Sequence, residues 1–587
     1  MRYLIFIAII LQISISSSTL AQQNNGFIYV ENGRLYHPDG KEVAMWGVNL
    51  QPCLSWEYNA RMKKAGIPKD AATWKKMTDE SLDELGLLGC KVIRCHLTPA
   101  DFTDEKGNLV ETIYLDLLDY MIAETHKRGM FSYITFINHM GSGEVANSFM
   151  NSKKEKLDYR ADWMVDEKVI GFSKNYITQL LNRKNPYSEV VYKSDASIAI
   201  WEVINEPRYY KYEEFLKTPF SQAYTAWLKE KRLNDTKESY LIYRKQSVLN
   251  YINGIYETIR ATGDKHPITW NCNWNRMIMG HEDVFEAIAE SKVEVVAFCN
   301  YPGQNVVKSP YQENPEDLSR YDFTEWYQKF YGDKNYYGWV LRDDFKNKAK
   351  VVYEFETFYN QSAYLYPAMA DFMRAMGVQM AAMWHYSMPA YSQEVMGSHV
   401  LNLKCTPKKA AAFAVAAKLF ENTPILQPYH VASPLEFQSD KFTYSYANNM
   451  SLYSDNEFYY YSNGVEDKIT LKPSKNIKGV FGYGTSPLVS YDGTGNYQLR
   501  ISEKEIELHI QPDVIHNTEQ WRRIKEKNDV VTELIYNKEH TMKIRLDGWN
   551  NDKYTLNKVL DGKEKKVAVT RELSFKLTPG NYRIIRN

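Results

Sequence analysis

Eight short apolar segments recur between residues 44 and 384, separated by stretches with helical periodicity. Each is too short for a buried helix and too continuous for a strand with one solvated face. Runs of this kind are typical of strands covered on both faces, as in a parallel sheet beneath helices. We therefore predict eight buried strands, at Ala44 to Asn49, Lys91 to Leu97, Phe131 to Ile137, Ser197 to Val203, Pro267 to Asn271, Glu294 to Cys299, Lys350 to Phe355 and Val378 to Trp384.

The stretches between these segments carry the marks of capped helices. Leucines at 82, 85 and 88 are followed by Gly89, and an apolar stripe from Leu117 to Ile122 is followed by Gly129. Glycine after the last turn supplies the left-handed cap that ends a helix. Eight strand-then-helix units predict an α/β fold, specifically a (β/α)8 TIM barrel. An open doubly wound sheet is the weaker alternative, because no glycine-rich phosphate turn follows an early strand.

The pattern changes after a last helix that Thr406-Pro407 opens and Asn422-Thr423-Pro424 ends. Beyond it, short strands with alternating polarity are separated by turn dipeptides such as Asn463-Gly464 and Asp492-Gly493. We predict a catalytic barrel over residues 27–420 and a C-terminal antiparallel β-sandwich domain over residues 425–587. The sandwich is expected either to buttress the barrel or to bind glycan.

The N-terminus resembles an export signal. Met1-Arg2 precedes an apolar run from Leu4 to Ile15, and Thr19-Leu20-Ala21 suits a cleavage site before Gln22. We predict a signal peptide over residues 1–21 and a secreted or periplasmic protein. The alternative, a membrane anchor, is disfavoured because the run is short for a span and lacks a basic flank, so no stable membrane insertion is expected.

Net charge, aromatic content and cysteine spacing limit the kinds of partner and ligand that we expect for this chain. The chain has 72 Lys+Arg and 72 Asp+Glu, so no overall field favours nucleic acid or an anionic membrane, and a neutral partner fits best. Aromatic residues make up 14% of the chain and suit stacking on sugar rings, although most should pack in cores. The six cysteines show no metal-ligand spacing, so neither metal nor cofactor is expected. Export permits a disulfide, for which Cys90 and Cys95 are one candidate pair.

Two glutamates occupy the chemically decisive positions. Glu206 ends the fourth predicted strand, because Pro207 favours an extended residue before it and cannot continue the ladder. Glu354 lies at the end of the seventh predicted strand. Strand ends of this kind form the catalytic face of a βα barrel. Two carboxyls about 5 to 5.5 Å apart across its mouth would suit retaining glycoside hydrolysis; each alone could instead be a salt-bridged strand-end residue.

The segment Trp201-Glu202-Val203-Ile204-Asn205-Glu206-Pro207 resembles the acid/base motif of clan A glycoside hydrolases, especially family 5, the cellulase and mannanase family. The resemblance implies that Glu206 is the acid/base, that Asn205 contacts the 2-hydroxyl of the bound sugar and that Glu354 is the nucleophile. Glu202 and Glu206 are an even number of residues apart, so on one strand their side chains would face the same way. We therefore expect Glu202 to be a buried partner of the site.

Four further positions match this family and are expected to bind substrate or hold the nucleophile. Each of them could instead have a purely structural role, in an ion pair, as a buried core histidine or in ordinary packing. They are Arg94 on the second strand, His139 after the third, Tyr301 after the sixth and Trp384 ending the eighth.

The chain also departs from the family pattern in two places. Cys299 stands where a histidine is usual, two residues before the sixth-strand tyrosine. The nucleophile motif usually reads Glu-Phe-Gly, whereas this chain has Glu354-Phe355-Glu356. Residues two apart along a strand face the same way, so Glu356 is an alternative nucleophile. The departures suggest family 5 or a diverged sister family.

The functional expectation is therefore a retaining β-glycoside hydrolase acting on a neutral oligo- or polysaccharide. The alternatives are a catalytically inactive glycan-binding barrel and a transglycosylase that uses the same carboxyl pair. The long segments Tyr209 to Lys245 and Gln304 to Lys348 are expected to decide between internal and terminal cleavage.

Overall fold

The computed structural model describes most of the chain. It covers residues 26–138, 143–152, 158, 160–274, 278–302, 321–331, 337–357, 360–394, 399–427, 429, 436–464, 471–516, 532–549, 552–560 and 562–587. The predicted signal peptide and His139 lie outside these residues. Within the described ranges, every helix is too short or too polar to span a lipid bilayer.

A short hairpin leads into a closed parallel barrel. Strands β1 (Tyr29–Glu31) and β2 (Arg34–Tyr36) pair antiparallel. The eight barrel strands then close in sequence order, with the last pairing to the first. All eight predicted apolar segments are barrel strands, so the predicted TIM barrel is confirmed. They are β3 (Met45–Asn49), β4 (Val92–His96), β5 (Phe131–Thr135), β6 (Ile198–Glu202), β7 (Ile268–Asn271), β8 (Val295–Asn300), β9 (Ala349–Phe355) and β10 (Val378–Met383).

Helices follow the barrel strands and cover them. Side-chain caps start several of them: Asp70 accepts from the amide of Thr73 at 2.8 Å, as an N-cap residue does. Shorter helical turns occur at Ser55–Glu57, Phe149–Ser152 and Tyr212–Phe215. The main helices are α1 (Ala71–Leu87), α2 (Ile113–Lys127), α3 (Glu167–Leu181), α4 (Ser221–Lys231), α5 (Lys237–Ala261), α6 (Glu282–Glu290), α7 (Phe323–Phe330), α8 (Leu365–Ala375) and α9 (Pro407–Asn422).

The barrel interior is packed, and one glycine lets two of its strands approach closely. A Cβ on Gly47 of β3 would lie 1.8 Å from the carbonyl oxygen of Val92 in β4, so only glycine fits there. Val92, Tyr133 and Ile200 contribute to the buried cluster inside the ring. Because the interior is filled, chemistry is confined to the end of the barrel where the strands terminate.

The described C-terminal residues form two packed sheets and a further two-stranded sheet, in which Asp513–His516 pairs with Thr532–Ile535, and this arrangement confirms the predicted β-sandwich. A ten-stranded sheet faces a three-stranded sheet across a separate apolar cluster. One pair departs from the antiparallel expectation: Phe458–Ser462 runs parallel to Gly479–Gly482. The strands are β11 (Glu436–Gln438), β12 (Phe442–Ser445), β13 (Met450–Ser454), β14 (Phe458–Ser462), β15 (Gly479–Gly482), β16 (Val489–Tyr491), β17 (Tyr497–Ile501), β18 (Glu505–Ile510), β19 (Asp513–His516), β20 (Thr532–Ile535), β21 (His540–Ile544), β22 (Tyr554–Leu560), β23 (Lys563–Thr570), β24 (Ser574–Leu577) and β25 (Gly580–Arg586).

The outer face of α9 joins the two parts. Tyr444, Tyr453 and Phe481 from the sandwich belong to the same buried cluster as Phe413 of α9. Asn496 donates to the carbonyl oxygen of Leu403 at 2.7 Å. The first sandwich strands therefore complete the apolar core around the last barrel helix.

Candidate active site

The two predicted catalytic glutamates lie at the carboxyl ends of β6 and β9. Glu206 is 5% exposed and Glu354 is 6% exposed. Glu206 adopts a φ of 51°, in the left-handed region that a side chain with a Cβ enters at a cost. Such conformations persist where surrounding contacts hold them and are concentrated at functional sites.

Glu354 is held by donors on one side of the barrel mouth. Arg94 Nη1 donates to its Oε1 at 3.1 Å, and the Tyr301 hydroxyl donates to its Oε2 at 2.8 Å. His96 Nε2 lies 3.6 Å from Oε1. Both predicted partners of Glu354, Arg94 and Tyr301, are therefore in contact with it.

Arg94 is the centre of a buried polar network that also fixes Asn205. Its guanidinium donates to Asn49 Oδ1 at 2.8 Å, to Glu202 Oε1 at 2.6 Å and to Asn205 Oδ1 at 2.9 Å. Arg94 and Glu202 are both 0% exposed. Because Asn205 accepts from Arg94, its amide oxygen is occupied and its side-chain orientation is set next to Glu206.

Glu202 is a buried partner of the site, as expected, although strand alternation does not explain it, because β6 ends at Glu202. Besides Arg94 it accepts from the hydroxyls of Tyr133 and Thr135 and from the amide of Asn271. A carboxylate with this many donors and no exposure offers no lone pair to a substrate. Its role is to balance and orient Arg94.

Glu206 has its own set of donors, and none was found from the sequence. Arg160 Nη2 donates to Oε2 at 2.8 Å, while the Tyr353 hydroxyl donates to Oε1 at 3.0 Å. The Trp274 indole also donates to Oε1. Arg160 and Trp274 come from irregular segments, where periodicity carries no signal. Arg160 is 31% exposed at its side chain, whereas Tyr353 is fully buried.

A β-bulge in β9 explains how Tyr353 and Glu354 both serve the site although they are neighbours in sequence. The ladder between β8 and β9 skips a residue, pairing Phe298 with Val352 and then Cys299 with Glu354. A bulge inserts one residue into one strand and re-aims the side chains around it. Strict alternation would have sent one of the two side chains out of the barrel.

The two carboxyls influence each other electrostatically. Burial and, next, the charge of Glu206 raise the pKa of Glu354 to about 8, although Arg94 and the Tyr301 hydroxyl oppose the rise. The neighbouring negative charge therefore favours the protonated form of Glu354 in the unliganded site, whereas Arg94 and Tyr301 favour the carboxylate that a nucleophile requires.

Aromatic rings surround the pair. Trp384 stacks on His96 with ring centroids 5.0 Å apart, and the centroid of Trp56 lies 6.5 Å from that of Trp384. Trp274 lies 6.1 Å from Tyr301 on the other side. Trp384 therefore lies beside His96, with Trp56, which sequence reasoning missed, next to it; its role as an aromatic floor stays a prediction.

The expectation that Glu356 faces the same way as Glu354 is wrong. Strand β9 ends at Phe355, so the alternation does not extend to residue 356. Glu356 is 0% exposed, pairs with Lys409 of α9 and accepts from the Tyr366 hydroxyl of α8. These partners lie in the helical layer, away from the contacts of Glu354. His139 lies outside the described residues.

Within the residues that the structure describes, no three His, Cys, Asp or Glu side chains gather as a metal-ligand group. Cys299, which replaces the family's usual histidine, is buried in the cluster inside the barrel.

Comparison with known proteins relates the chain to plant mannanases. It is 26% identical over 212 residues to mannan endo-1,4-beta-mannosidase 4 of Solanum lycopersicum, covering 35% of this chain and 50% of that protein. It is 31% identical over 116 residues to mannan endo-1,4-beta-mannosidase 7 of Arabidopsis thaliana, covering 19% and 26%. The chain thus spans half or less of the length of these relatives. These partial matches confirm the predicted resemblance to the cellulase and mannanase family.

No family profile matches the chain. Among solved structures, the endo-1,4-beta-mannanase of Rhizomucor miehei aligns with a TM-score of 0.45 at 15% identity, covering 68% of this chain and 100% of that one. The endo-beta-1,4-mannanase of Thermotoga petrophila aligns with a TM-score of 0.46 at 13% identity, covering 92% and 98%. Likenesses this weak carry no argument about activity.

Proposed function

We propose that this chain, a relative of the family 5 mannanases of clan A, is a retaining glycoside hydrolase that cleaves β-linked polysaccharide by double displacement. The observation that carries the proposal is the pair of interacting carboxyls, Glu206 and Glu354, at the strand ends of one barrel. Arg94 and Tyr301 hold Glu354, and Arg160, Tyr353 and Trp274 hold Glu206. The separation of catalytic carboxyls sets the stereochemical course of the family's reaction.

In the first step Glu354 attacks the anomeric carbon while Glu206 donates a proton to the glycosidic oxygen. Arg94 and the Tyr301 hydroxyl orient the attacking carboxylate, and their donated hydrogen bonds favour its ionised form. The bond from the sugar to the leaving group breaks as the bond to a Glu354 oxygen forms. The proton that Glu206 donates leaves with the aglycone.

In the second step Glu206 accepts a proton from water, and the resulting hydroxide attacks the anomeric carbon. The glycosyl–Glu354 bond breaks, and the Glu354 carboxylate again accepts from Arg94 and Tyr301. Glu206 keeps the proton that it took from water. Two inversions leave the sugar with its original β configuration.

The Arg160 contact implies a rearrangement during the cycle. Tyr353 and Trp274 already donate to Oε1 of Glu206, so Oε2 is the oxygen that would meet the glycosidic bond, and Arg160 occupies it. The guanidinium binds an ionised carboxylate more strongly than a protonated one. We therefore propose that this contact loosens when Glu206 carries the proton, which the partial exposure of Arg160 allows.

We propose β-1,4-mannan as the first substrate to test, because the relatives are named for that polysaccharide. A neutral chain of sugars suits a protein with formal net charge +0 and an aromatic-lined site. Asn205, Trp384 and His139 are proposed substrate contacts. No cofactor enters this mechanism, and the predicted signal peptide makes export part of the proposal.

The proposal is tested by incubating the purified chain with mannan, glucomannan, xyloglucan and carboxymethyl cellulose. We expect new reducing ends on at least one β-linked polysaccharide and none with Glu206→Gln at equal melting temperature. A β-linked oligosaccharide of defined length is tested in the same way. Products longer than this starting oligosaccharide would instead show a transglycosylase. Binding without any turnover would show a glycan-binding barrel and contradict the proposal.

A further inference from the structure

Two buried thiols meet beneath the catalytic face. The Sγ atoms of Cys53 and Cys95 are 3.3 Å apart, and both residues are 0% exposed. Cys95 lies on β4, directly after Arg94, and Cys53 lies in the segment that leaves β3. They belong to the large cluster between the barrel strands and the helices.

The backbone around this pair is held close by the barrel itself. Asn49 pairs with Arg94 in the parallel ladder between β3 and β4. The amide of Leu50 donates to the carbonyl oxygen of Arg94 at 3.0 Å, which continues the pairing past the end of β3. Neighbouring strands lie about 4.8 Å apart. The ladder therefore brings the segment that leaves β3 beside β4, and Cys53 reaches Cys95 from the turn that follows Leu50.

The other cysteines make different contacts. The Cys90 thiol donates to the carbonyl oxygen of Val92 at 3.3 Å, and the thiol of Cys405 lies 3.2 Å from the Ser392 hydroxyl. All six cysteines are described as free thiols. The sequence-based pairing of Cys90 with Cys95 is not formed, and Cys95 faces Cys53 instead.

We propose that Cys53 and Cys95 are joined by a disulfide in the exported protein. A disulfide has an S–S distance of about 2.05 Å, so the two sulfurs must approach by roughly 1.2 Å. A small rotation of two side chains supplies a movement of this size when one of them lies in an irregular segment. The proposal rests on the predicted export, because oxidising compartments are where such bonds persist.

The chemistry requires an oxidant, which we take to be the disulfide form of a thiol–disulfide oxidoreductase in the export compartment. The thiolate of one cysteine attacks the disulfide of the oxidant and forms a mixed disulfide. The second thiolate then displaces the reduced oxidant. Two thiols of this chain lose two protons and two electrons, and the oxidant gains a dithiol.

The burial of the pair places this step before the barrel is complete. Burial, and then the neighbouring Cys53, raise the pKa of the Cys95 thiol well above its usual range. A thiol that stays protonated and has no access to solvent reacts slowly. The bond is therefore formed while the first strands assemble, and the finished protein protects it from reductants.

The disulfide would tie two parts of the active site together. The segment after β3 carries Gln51 and Trp56, and β4 carries Arg94 and His96. The bond closes a loop with a sequence separation of 42 residues. Closing a loop of this length restricts the unfolded chain and stabilises the native one.

The test is to count thiols in the full chain, expressed with its own leader in a bacterial host and recovered from the periplasm or medium. The protein is denatured and alkylated without reduction, and its mass is measured. We expect four alkylated cysteines of the six in the sequence, and a non-reduced peptide that joins Cys53 to Cys95. Six alkylated cysteines, or a peptide that joins Cys90 to Cys95, would overturn the proposal.

A second measurement covers variants that fold poorly and does not depend on enzymatic activity. Unfolding the exported wild type and refolding it in reductant should lower its melting temperature by several degrees, and the same treatment should leave the double variant Cys53→Ala/Cys95→Ala unaffected. Cys90→Ala is the matched control, a buried thiol that contacts the carbonyl oxygen of Val92 rather than a second sulfur, and should keep the wild-type response. A wild type indifferent to reductant would contradict the bond.

Discussion

Arg94 illustrates how one buried side chain can link two carboxylates with different tasks. It is fully buried and donates to both Glu202 and Glu354, with Asn49 and Asn205 taking further hydrogen bonds. Four hydrogen bonds from Nη1 and Nη2, two of them to carboxylates, offset the cost of burying this cation, although its Nε makes no hydrogen bond within the described residues. The network therefore stabilises the fold and aims the proposed nucleophile at the same time.

Replacing Arg94 with methionine should damage both stability and activity. Removing one partner of a buried ion pair leaves uncompensated charge, which destabilises by about 3–5 kcal/mol. We expect this loss in urea denaturation, together with a fall in kcat for the folded fraction. Arg34→Met is the control, because its pair with Glu42 is 40% and 29% exposed and should contribute less than about 1 kcal/mol. Equal effects of the two changes would contradict this interpretation.

At this scale the sequence predicted some side chains and missed others for identifiable reasons. Pro207 indicated that Glu206 lies close to the end of the fourth strand, which in the structure stops at Glu202. The family motif indicated Arg94 and Tyr301. Arg160 and Trp274 could not be found, because both lie in segments without periodicity and reach Glu206 only after the chain folds. The spacing of residues in the sequence therefore could not predict the hydrogen-bond donors of Glu206, the proposed acid/base.

At the scale of single elements, β9 shows where strand alternation stops being a guide. A bulge lets Tyr353 and Glu354 both face the site, and the strand ends before Glu356. Glu356 instead joins β9 to the helical layer through Lys409 and Tyr366. Parity predicts side-chain direction only within an uninterrupted strand. The eight apolar segments were predicted correctly because burial on both faces leaves a strong signal.

The Glu356–Lys409 pair should matter for stability and not for catalysis. Lys409→Met leaves the Glu356 carboxylate buried without its cation, so we expect a loss of about 3–5 kcal/mol in the free energy of unfolding. The turnover number of the remaining folded enzyme should match that of the wild type. The double variant Glu356→Gln/Lys409→Met should recover most of the stability. Loss of turnover in the stable double variant would give Glu356 a catalytic role.

At the scale of the whole molecule, the interface between the barrel and the sandwich contains a buried carboxyl group with a raised pKa. Asp371 on α8 accepts from the Tyr444 hydroxyl of β12 at 3.2 Å. Burial raises the pKa of Asp371 from 3.8 to about 7, and the hydrogen bond from Tyr444 only partly opposes this. Between these values the native protein holds a proton that the unfolded chain has lost. This group's contribution to stability therefore falls as the pH rises from about 4 to about 7.

Asp371→Asn should remove this dependence, because an amide stays neutral at every pH. We expect the variant to gain stability over the wild type by up to about 1.4 kcal/mol for each pH unit across that window, and then to level off. Urea denaturation at several pH values measures the difference. Asp440→Asn, at an exposed aspartate, should show a pH-independent difference. A flat difference for Asp371→Asn as well would contradict the assigned burial effect.

The sandwich is predicted to buttress the barrel rather than to act as a separate binding module. Removing residues 425–587 would expose the face of α9 that packs against the strands carrying Tyr453 and Phe481. Uncovered apolar patches of this kind promote aggregation. We expect the truncated chain to be insoluble on expression. A soluble truncated chain with full activity but weakened polysaccharide binding would instead indicate a binding module.

Element patterns predicted the barrel and the sandwich because their periodicities differ. They did not predict the parallel pair of β14 and β15, since strand direction follows from a connection and not from polarity. Nor could composition show that the sandwich completes the core around α9. That interface depends on which apolar residues remain uncovered once the barrel has closed.

The central claim, that Glu354 is the nucleophile of a two-step reaction assisted by Glu206, is tested most directly by trapping the intermediate. Glu206→Gln should slow the second step, because no base remains to activate water. An aryl β-glycoside with a good leaving group, made from a sugar that the wild type cleaves, should still react in the first step. Mass spectrometry of the rapidly denatured variant should find one sugar residue bound to the peptide that contains Glu354. An adduct on another residue, or no adduct together with a product of inverted configuration, would contradict the account.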